Sequence, residues 1–429
     1  MTWASADRSP ALRTALKLFT YWQWPGWILF AAGLAFSISF TNYSIFGLVL
    51  LPLILRADLT RRSPLYATPL DWPFAALYAS MVIASLGAYA VGGQSFGQRS
   101  FLWTVSYTAP VVYFTVCYAL PEQPGWIWKA MAWALLTAAA ANSLYAVIQF
   151  GVAVRQGQDL FSVRPGGRMF YMTYGGVMML VITFAVSLFI KGNLRVRARV
   201  ILGALVTVMV AGLAASLVRS AWVGLAASVF AIAVLADRRL LWAFPVVIAL
   251  GVLVAPRPIL KRAESILNAA TAEAKSETEG PPEFRVDIWR TSLRIAARYP
   301  LTGVGLHNSI DLYDRFKDAT SWESRVPHAH NNYIQLLVER GVVGLAAFGY
   351  FVVTLVKLFL SSYRSARSPT TRVISLAGFG ATVGFLIEGF FEYTFGDYEI
   401  MVIIYTLAAA AVASRRREEL IGREEAAAR

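Results

Sequence analysis

Two of the three histidines, His328 and His330, fall in one stretch, RVPHAHNNYIQLLVERGVVGL, residues 325–345. It leaves a long polar segment and enters a strongly apolar one. Pro-His-Ala-His-Asn-Asn before Tyr-Ile-Gln-Leu-Leu predicts a loop-to-helix junction, with Asn331 or Asn332 capping the first turn. A neutral imidazole there can accept a hydroxyl proton as the oxygen attacks, a contribution of about 10²–10⁴ in rate. The plainer alternative is a polar collar on a helix end.

Arginines supply the second half of the chemistry. Arg219 sits between two apolar runs in SLVRSAW, and Arg285 lies one helical turn before Trp289. Arg164 and Arg168 flank a Pro-Gly-Gly turn. Guanidinium forks match phosphate oxygens two at a time and stabilise a departing phosphate charge without a metal. Nearby guanidinium charge also disfavours imidazolium, leaving the histidine able to act as a base. Each arginine has a structural alternative: Arg219 snorkelling to the interface, Arg285 on a helix surface. Arg290, Arg294 and Arg298 repeat every fourth residue and read as a solvated stripe. Glu339, Glu388, Glu392, Asp397 and Glu399 are carboxylates in or beside apolar runs. They are expected to pair with and position arginines, proton relay being the alternative.

The elements that must hold these groups are membrane helices. Of 429 residues, 57% are hydrophobic and only 15% charged, with a mean hydropathy of +0.54. Apolar runs of bilayer length recur without the alternation of barrel strands. The pattern predicts an all-α polytopic membrane protein with about twelve transmembrane helices. The spans are expected near 24–40, 43–55, 72–91, 101–120, 126–150, 174–190, 200–217, 221–236, 240–254, 334–359, 373–391 and 399–413. No cleavable signal peptide is expected in residues 1–23. The layout is one integrated domain: nine spans in 1–254, a large, partly helical loop at 255–333, then three spans and a tail in 334–429.

Lys and Arg set the orientation. Arg8, Arg13, Lys17, Arg56, Arg61, Arg62, Lys191, Arg195, Arg197, Arg199, Arg238, Arg239, Lys357, Arg364, Arg367, Arg372 and Arg415 to Arg417 fall on one side. The short loops opposite hold only Arg99, Arg155, Arg164, Arg168 and Arg219. Both termini are therefore expected in the cytoplasm, with the large loop outside. The net charge of +14 is read as a positive-inside signal helped by anionic membrane lipids, not as a nucleic-acid footprint. The large loop carries 11 Lys/Arg and 10 Asp/Glu, a mixed surface. Within it, 258–275 and 283–299 read as amphipathic helices separated by the breaker 276–282.

Several chemistries are excluded. The single cysteine, Cys117, permits no intrachain disulfide and no cysteine metal cluster. There is no Asp-x-Asp pair for a metal-bound nucleotide sugar and no Gly-rich Lys loop for ATP. No Gly-x-Ser-x-Gly elbow accompanies the histidines. His328-x-His330 lacks the usual spacing of a zinc site, so no metal and no cofactor is expected. A secondary transporter or flippase would place its charges near mid-membrane and carry internal repeats; neither is evident. Histidine plus outer-face arginines suggests transfer from a lipid-linked diphosphate to a hydroxyl.

Three patches resemble the O-antigen ligase/polymerase superfamily of envelope glycosyltransferases. They are SLVRSAWVGL (216–225), FRVDIWRTSLRIAARYPLTGVGL (284–306) and HAHNNYIQLLVERGVVGL (328–345). The last carries His330 and Asn331, nine residues, then Gly341-x-x-Gly344. The resemblance implies His330 as the base, with Arg219 and Arg285 holding undecaprenyl diphosphate. It leaves His328, Asn331, Arg164, Arg168, Trp289 and Glu339 as auxiliary candidates. It implies an O-antigen ligase that moves polysaccharide from undecaprenyl diphosphate to a hydroxyl of lipid A–core. That transfer is a metal-independent inverting displacement at the periplasmic face of the inner membrane. O-antigen polymerases and protein O-oligosaccharyltransferases share the donor and are the alternatives.

Overall fold

A computed structural model of the protein describes residues 10–60, 63–158, 163–242, 282–318 and 326–427. Among these there is no strand. Helix α1 (Pro10–Gly33) is followed by α2 (Ile38–Asn42), which runs through a π-helical stretch (Tyr43–Leu50) into α3 (Leu51–Thr60). Then come α4 (Asp71–Ser106), α5 (Ala109–Ala119), α6 (Gly125–Arg155), α7 (Tyr171–Lys191), α8 (Val196–Ala215) and α9 (Arg219–Ala236). A 3-10 turn (Arg238–Trp242) precedes α10 (Pro282–Arg298), α11 (Ser309–Phe316), α12 (Asn332–Ser365), α13 (Pro369–Glu388) and α14 (Tyr398–Ala427).

Nine helical segments among the described residues are long and apolar enough to cross a membrane. The all-α polytopic architecture is as expected, but three of the twelve spans are not counted separately. The runs 72–91 and 101–120 join in one segment, Asp71–Ala119. Helix α1 is absent from the nine, because Arg13, Lys17 and the stretch Tyr21–Trp27, with Gln23 and Pro25 among aromatic residues, lower its hydropathy. The expected span 240–254 falls mostly on residues outside the described ones, as do loop helix 258–275 and breaker residues 276–281.

Helices α7, α9, α13 and α14 pack together at the centre. Along α7, Val177 to Ile182 are at most 2% exposed, so this helix is enclosed by protein. Small residues let the backbones approach: any side chain on Gly384 would strike Ser228 and the Gly224 carbonyl. Large apolar side chains such as Leu86, Leu102 and Val200 are exposed on the rim, where lipid is their solvent.

Contacts sort the connections to two ends of the bundle. At one end Arg56 pairs with Glu122 (3.0 Å), Tyr66 donates to the Cys117 carbonyl (2.7 Å) and Ser368 N donates to Glu418 (2.8 Å). At the other, Arg99 pairs with Asp311 (2.5 Å), Thr173 donates to Asp397 (2.6 Å) and Arg285 donates to the Phe391 carbonyl (2.9 Å). The histidine segment lies at this second end.

Two of the long helices are broken there. Ser85 and Ser100 touch through their hydroxyls at 2.8 Å, whereas a straight helix separates them by about 22 Å. The chain reverses at Gly92 and Gly93, the latter with φ +67°. The expected continuous span 334–359 is broken in the same way at Gly341 (φ +61°). The Tyr333 and Phe348 rings are 6.2 Å apart, so the first segment of α12 folds back on the second. Breaking a helix strands backbone groups that apolar surroundings cannot satisfy. Residues 300–305 supply the partners: Val304 N and Gly305 N donate to the carbonyls of Val338 and Glu339 (2.9 and 3.0 Å). Val342 N and Val343 N donate to those of Pro300 and Leu301 (2.8 and 3.4 Å). The PLTGVG and GVVG stretches are thus one structural unit.

Gly341 is required by that conformation, and the Leu301 carbonyl occupies the place of a Cβ. Gly341→Ala should cost about 1–3 kcal/mol and lower the thermal midpoint of the detergent-solubilised protein. Gly349→Ala, with nothing near its Cβ position, should leave the midpoint unchanged or raise it. Equal midpoints in the two variants would contradict the role given to the break.

Candidate active site

His330 immediately precedes the cap of α12 and has a left-handed backbone, φ +47°. Asn331 is the capping residue: its Oδ1 accepts from Tyr333 N and Ile334 N (2.9 and 3.0 Å). Its Nδ2 donates to the Phe390 carbonyl (3.0 Å). Asn332 continues the attachment: its N donates to the Gly389 carbonyl (2.7 Å), and its side chain bonds Thr394 Oγ1 (3.1 Å) and Phe395 N (2.8 Å). On the other side of His330, the Ala329 carbonyl accepts from Trp289 Nε1 (2.9 Å) and Ala329 N donates to Gln335 Oε1 (2.8 Å). The strained backbone of His330 is held between these bonds, as an unfavourable φ must be.

The imidazole itself meets a carboxylate. His330 Nδ1 lies 3.0 and 3.2 Å from the two oxygens of Glu392. Burial alone would raise the Glu392 carboxyl. Its hydrogen bonds to His330 and the Tyr393 N–H, with the positive charge either imidazole carries when protonated, outweigh that and hold it below the usual carboxylate range. An ionised carboxylate only accepts, so Nδ1 carries a proton, and in the neutral ring the free lone pair is then on Nε2. This is the tautomer of a general base oriented by an acid.

His328 is set differently. Burial first, then the adjacent His330, push it down to about 4, against an upward pull from Glu392 and Glu339. It stays neutral, and its Nδ1 accepts from His330 N (3.3 Å). The two rings are 4.2 Å apart, and His328 lies 5.8 Å from the ring of Tyr393.

The other candidates fall in distinct places. Arg285 donates to the Phe391 carbonyl (2.9 Å), one residue from Glu392, so the structure brings it to the chain segment that carries the partner of His330. Arg219 is the first residue of α9, half-buried at the same end of the bundle. Five residues on, Gly224 packs against Glu388, which is 1% exposed. Arg164 lies over the Tyr171 ring at 5.7 Å. Arg168 is exposed, with its N–H on Asn142 Oδ1 (2.9 Å). Trp289 reaches the histidine segment through its bond to the Ala329 carbonyl. Glu339 is buried and accepts from His307 N (3.1 Å), Gln335 Nε2 (2.9 Å) and Tyr393 Oη (3.2 Å). It pairs with no arginine among the described residues, contrary to the expected role. Of the stripe, Arg294 pairs with Asp318 (2.8 Å) and Arg290 with Asp287 (3.5 Å), both exposed.

Glu392 was expected to position arginines, and it positions His330 instead. Nothing in the spacing of residues 62 apart signals that contact. His328, His330 and Glu392 also bring one ligand atom each within 4.8 Å of one another, a set able to hold a metal ion. Such an ion would have to replace the His330–Glu392 hydrogen bond or share its atoms.

Residues 204–349, about a third of the chain, match the model of a family described as O-antigen ligase. The match supports the O-antigen ligase/polymerase superfamily. It points to a multi-pass membrane glycosyltransferase of ligase or polymerase type with lipid-linked glycan substrates. No curated protein matches the chain. The matched stretch contains Arg219, Arg285, His330, Gly341 and Gly344 and ends before Glu392.

The depressed His328 makes stability depend on pH. The unfolded chain takes up a proton near the ordinary value of 6.5 and the folded one only near about 4. Between those values the unfolded state binds more protons, so stability falls as pH falls. Glu392, lowered by folding, acts in the same direction further down. The thermal midpoint should drop between pH 6.5 and 4.5, and His328→Gln should flatten the slope. Equal slopes in the two proteins would contradict the buried, neutral His328.

Proposed function

We propose that the protein is an O-antigen ligase, transferring a polysaccharide from undecaprenyl diphosphate to a hydroxyl of lipid A–core. The site faces the periplasm, the helices span the inner membrane, and both termini are cytoplasmic. In this reading 1–254 and 334–429 are the transmembrane parts, and 255–333 is the periplasmic loop. What carries the reading is the His330–Glu392 pair, with His330 and Arg285 inside the O-antigen ligase match and Arg285 bonded to the residue before Glu392.

In the proposed reaction the acceptor hydroxyl donates its proton to Nε2 of His330 as its oxygen attacks the anomeric carbon. The bond to the diphosphate oxygen breaks on the opposite face, a single displacement that inverts the centre. Glu392 holds Nδ1–H throughout and stabilises the imidazolium that forms. Arg285 and Arg219 bind the diphosphate and the charge that accumulates on it. Asn331 and Trp289 keep the imidazole aimed, His328 buttresses its backbone, and Arg164 and Arg168 are available to the glycan. Diphosphate leaves as a stable anion, so no separate acid and no metal is required.

O-antigen polymerase and protein O-oligosaccharyltransferase activities use the same donor and the same step. Purified protein given an undecaprenyl-diphosphate glycan together with core lipopolysaccharide, a second donor or a pilin-like protein distinguishes them. Glycosylation of core lipopolysaccharide is the expected result; exclusive transfer to either rival acceptor would overturn the ligase assignment.

His330→Ala should lower turnover by about 10²–10⁴ with donor affinity largely retained. Glu392→Gln should lower it less, because the imidazole keeps its place but loses the carboxylate that orients Nδ1–H. EDTA should not change the wild-type rate. Near-normal turnover in His330→Ala contradicts the base, and an EDTA loss restored by a divalent ion would make His328, His330 and Glu392 a metal site.

A further inference from the structure

Arg340 ends the first segment of α12, just before the break, and is 4% exposed. Among the described residues no hydrogen bond or ion pair reaches it, and its Nε is buried without a partner. Its guanidinium lies over the ring of Phe395 at 5.4 Å. The carboxylate next to it in sequence, Glu339, is already bonded to Gln335, His307 N and Tyr393. A guanidinium stays charged at any working pH. Burying one without a counter-charge costs several kcal/mol, and a face of Phe395 offsets little of that.

Three hydroxyls lie within electrostatic reach of Arg340, those of Tyr107, Tyr405 and Tyr393, the last bonded to Glu339. Tyr107 and Tyr405 meet through their hydroxyls at 2.5 Å, and Tyr78 donates to the Tyr107 carbonyl. The row continues outward: exposed Thr108 meets Tyr398 Oη at 3.5 Å, and Tyr398 donates to Asn42 (3.1 Å). Thr108 stands at the interruption between α4 and α5, within the membrane-spanning segment Asp71–Ala119. A row of hydroxyls thus runs from an exposed position on a spanning segment to a buried, unpaired cation. Tyr393 also lies beside His328, so the inner end of the row adjoins the histidine pair.

We propose that Arg340, with the hydroxyls of Tyr107, Tyr393 and Tyr405, is a seat for a phosphate of a lipid-linked diphosphate. It rests on the reading of the protein as a transferase that uses such a donor, and adds a third guanidinium to Arg219 and Arg285. The donor supplies the charge that Arg340 lacks, and its lipid tail explains why the hydroxyl row opens on a spanning segment. Arg340 binds an oxyanion here and takes no part in proton transfer.

The test measures polyprenyl diphosphate binding to wild-type protein, Arg340→Met and Tyr405→Phe in phosphatidylcholine nanodiscs, with thermal midpoints alongside. Arg340→Met should weaken binding at least tenfold, and its midpoint should hold or rise because an unpaired buried charge is gone. Tyr405→Phe should weaken binding several-fold. Affinities within twofold of wild type in Tyr405→Phe, or in a folded Arg340→Met, overturn the seat and leave the transferase reading intact. A wild-type protein that binds no polyprenyl diphosphate removes both. Competition by millimolar inorganic pyrophosphate or by phosphatidylglycerol equal to that of the lipid diphosphate would assign the seat to a free oxyanion or to a phospholipid headgroup, and overturn it as stated.

Discussion

The hydrogen bond from His330 Nδ1 to Glu392 (3.0 Å) is the contact on which the rest of the site depends. It decides which ring nitrogen carries the proton, and so which one faces a substrate as a base. It also places a negative charge where an imidazolium appears when a hydroxyl proton is taken up. Away from bulk water such a charge-assisted bond is stronger than at a surface. Its two partners come from separate connections, so neither holds the geometry alone. Asn331 and Asn332 tie the histidine segment to residues 389–395 through bonds of 2.7–3.1 Å. Trp289 anchors the same segment to α10, and Arg285, on that helix, closes the arrangement at the Phe391 carbonyl.

That geometry is built on interrupted helices. A continuous α12 would carry the chain straight across the membrane from the histidine loop. The break at Gly341 instead folds its first segment back over the bundle end, where it supports the loop. The exposed backbone groups at the break are matched by residues 300–305, which is the condition for irregular backbone at such a depth. The same break leaves Arg340 near tyrosines with no ion pair to a carboxylate among the described residues. A cation in that position is costly for folding, which is the ground for the proposed phosphate seat.

Much of this was legible in the residues. Apolar runs locate most of the helices, because a bilayer imposes length and polarity on each one. Asn331 is recognisable as a cap, and His330 with Gly341 and Gly344 as a unit, because local chemistry needs those types at that spacing. The partner of His330 was not legible. Glu392 sits in a cluster of carboxylates after an apolar run, and only the packing of α12 against α13 chooses it over Glu388 or Asp397. The reversals at Gly93 and Gly341 were hidden by the apolar character of both flanks, since hydropathy does not change where a helix turns back inside protein. Arg340 was hidden for the same reason: nothing in a one-dimensional pattern tells a buried arginine from one that reaches water.

The tautomer of His330 is directly observable. Nitrogen-15 NMR of histidine-labelled protein in nanodiscs at neutral pH, assigned with His330→Ala, reports the proton on each ring nitrogen. The prediction is Nδ1 protonated and Nε2 bare, with that preference lost in Glu392→Gln. A bare or metal-bound Nδ1 in the wild type, or an unchanged spectrum in Glu392→Gln, would contradict a base set by Glu392.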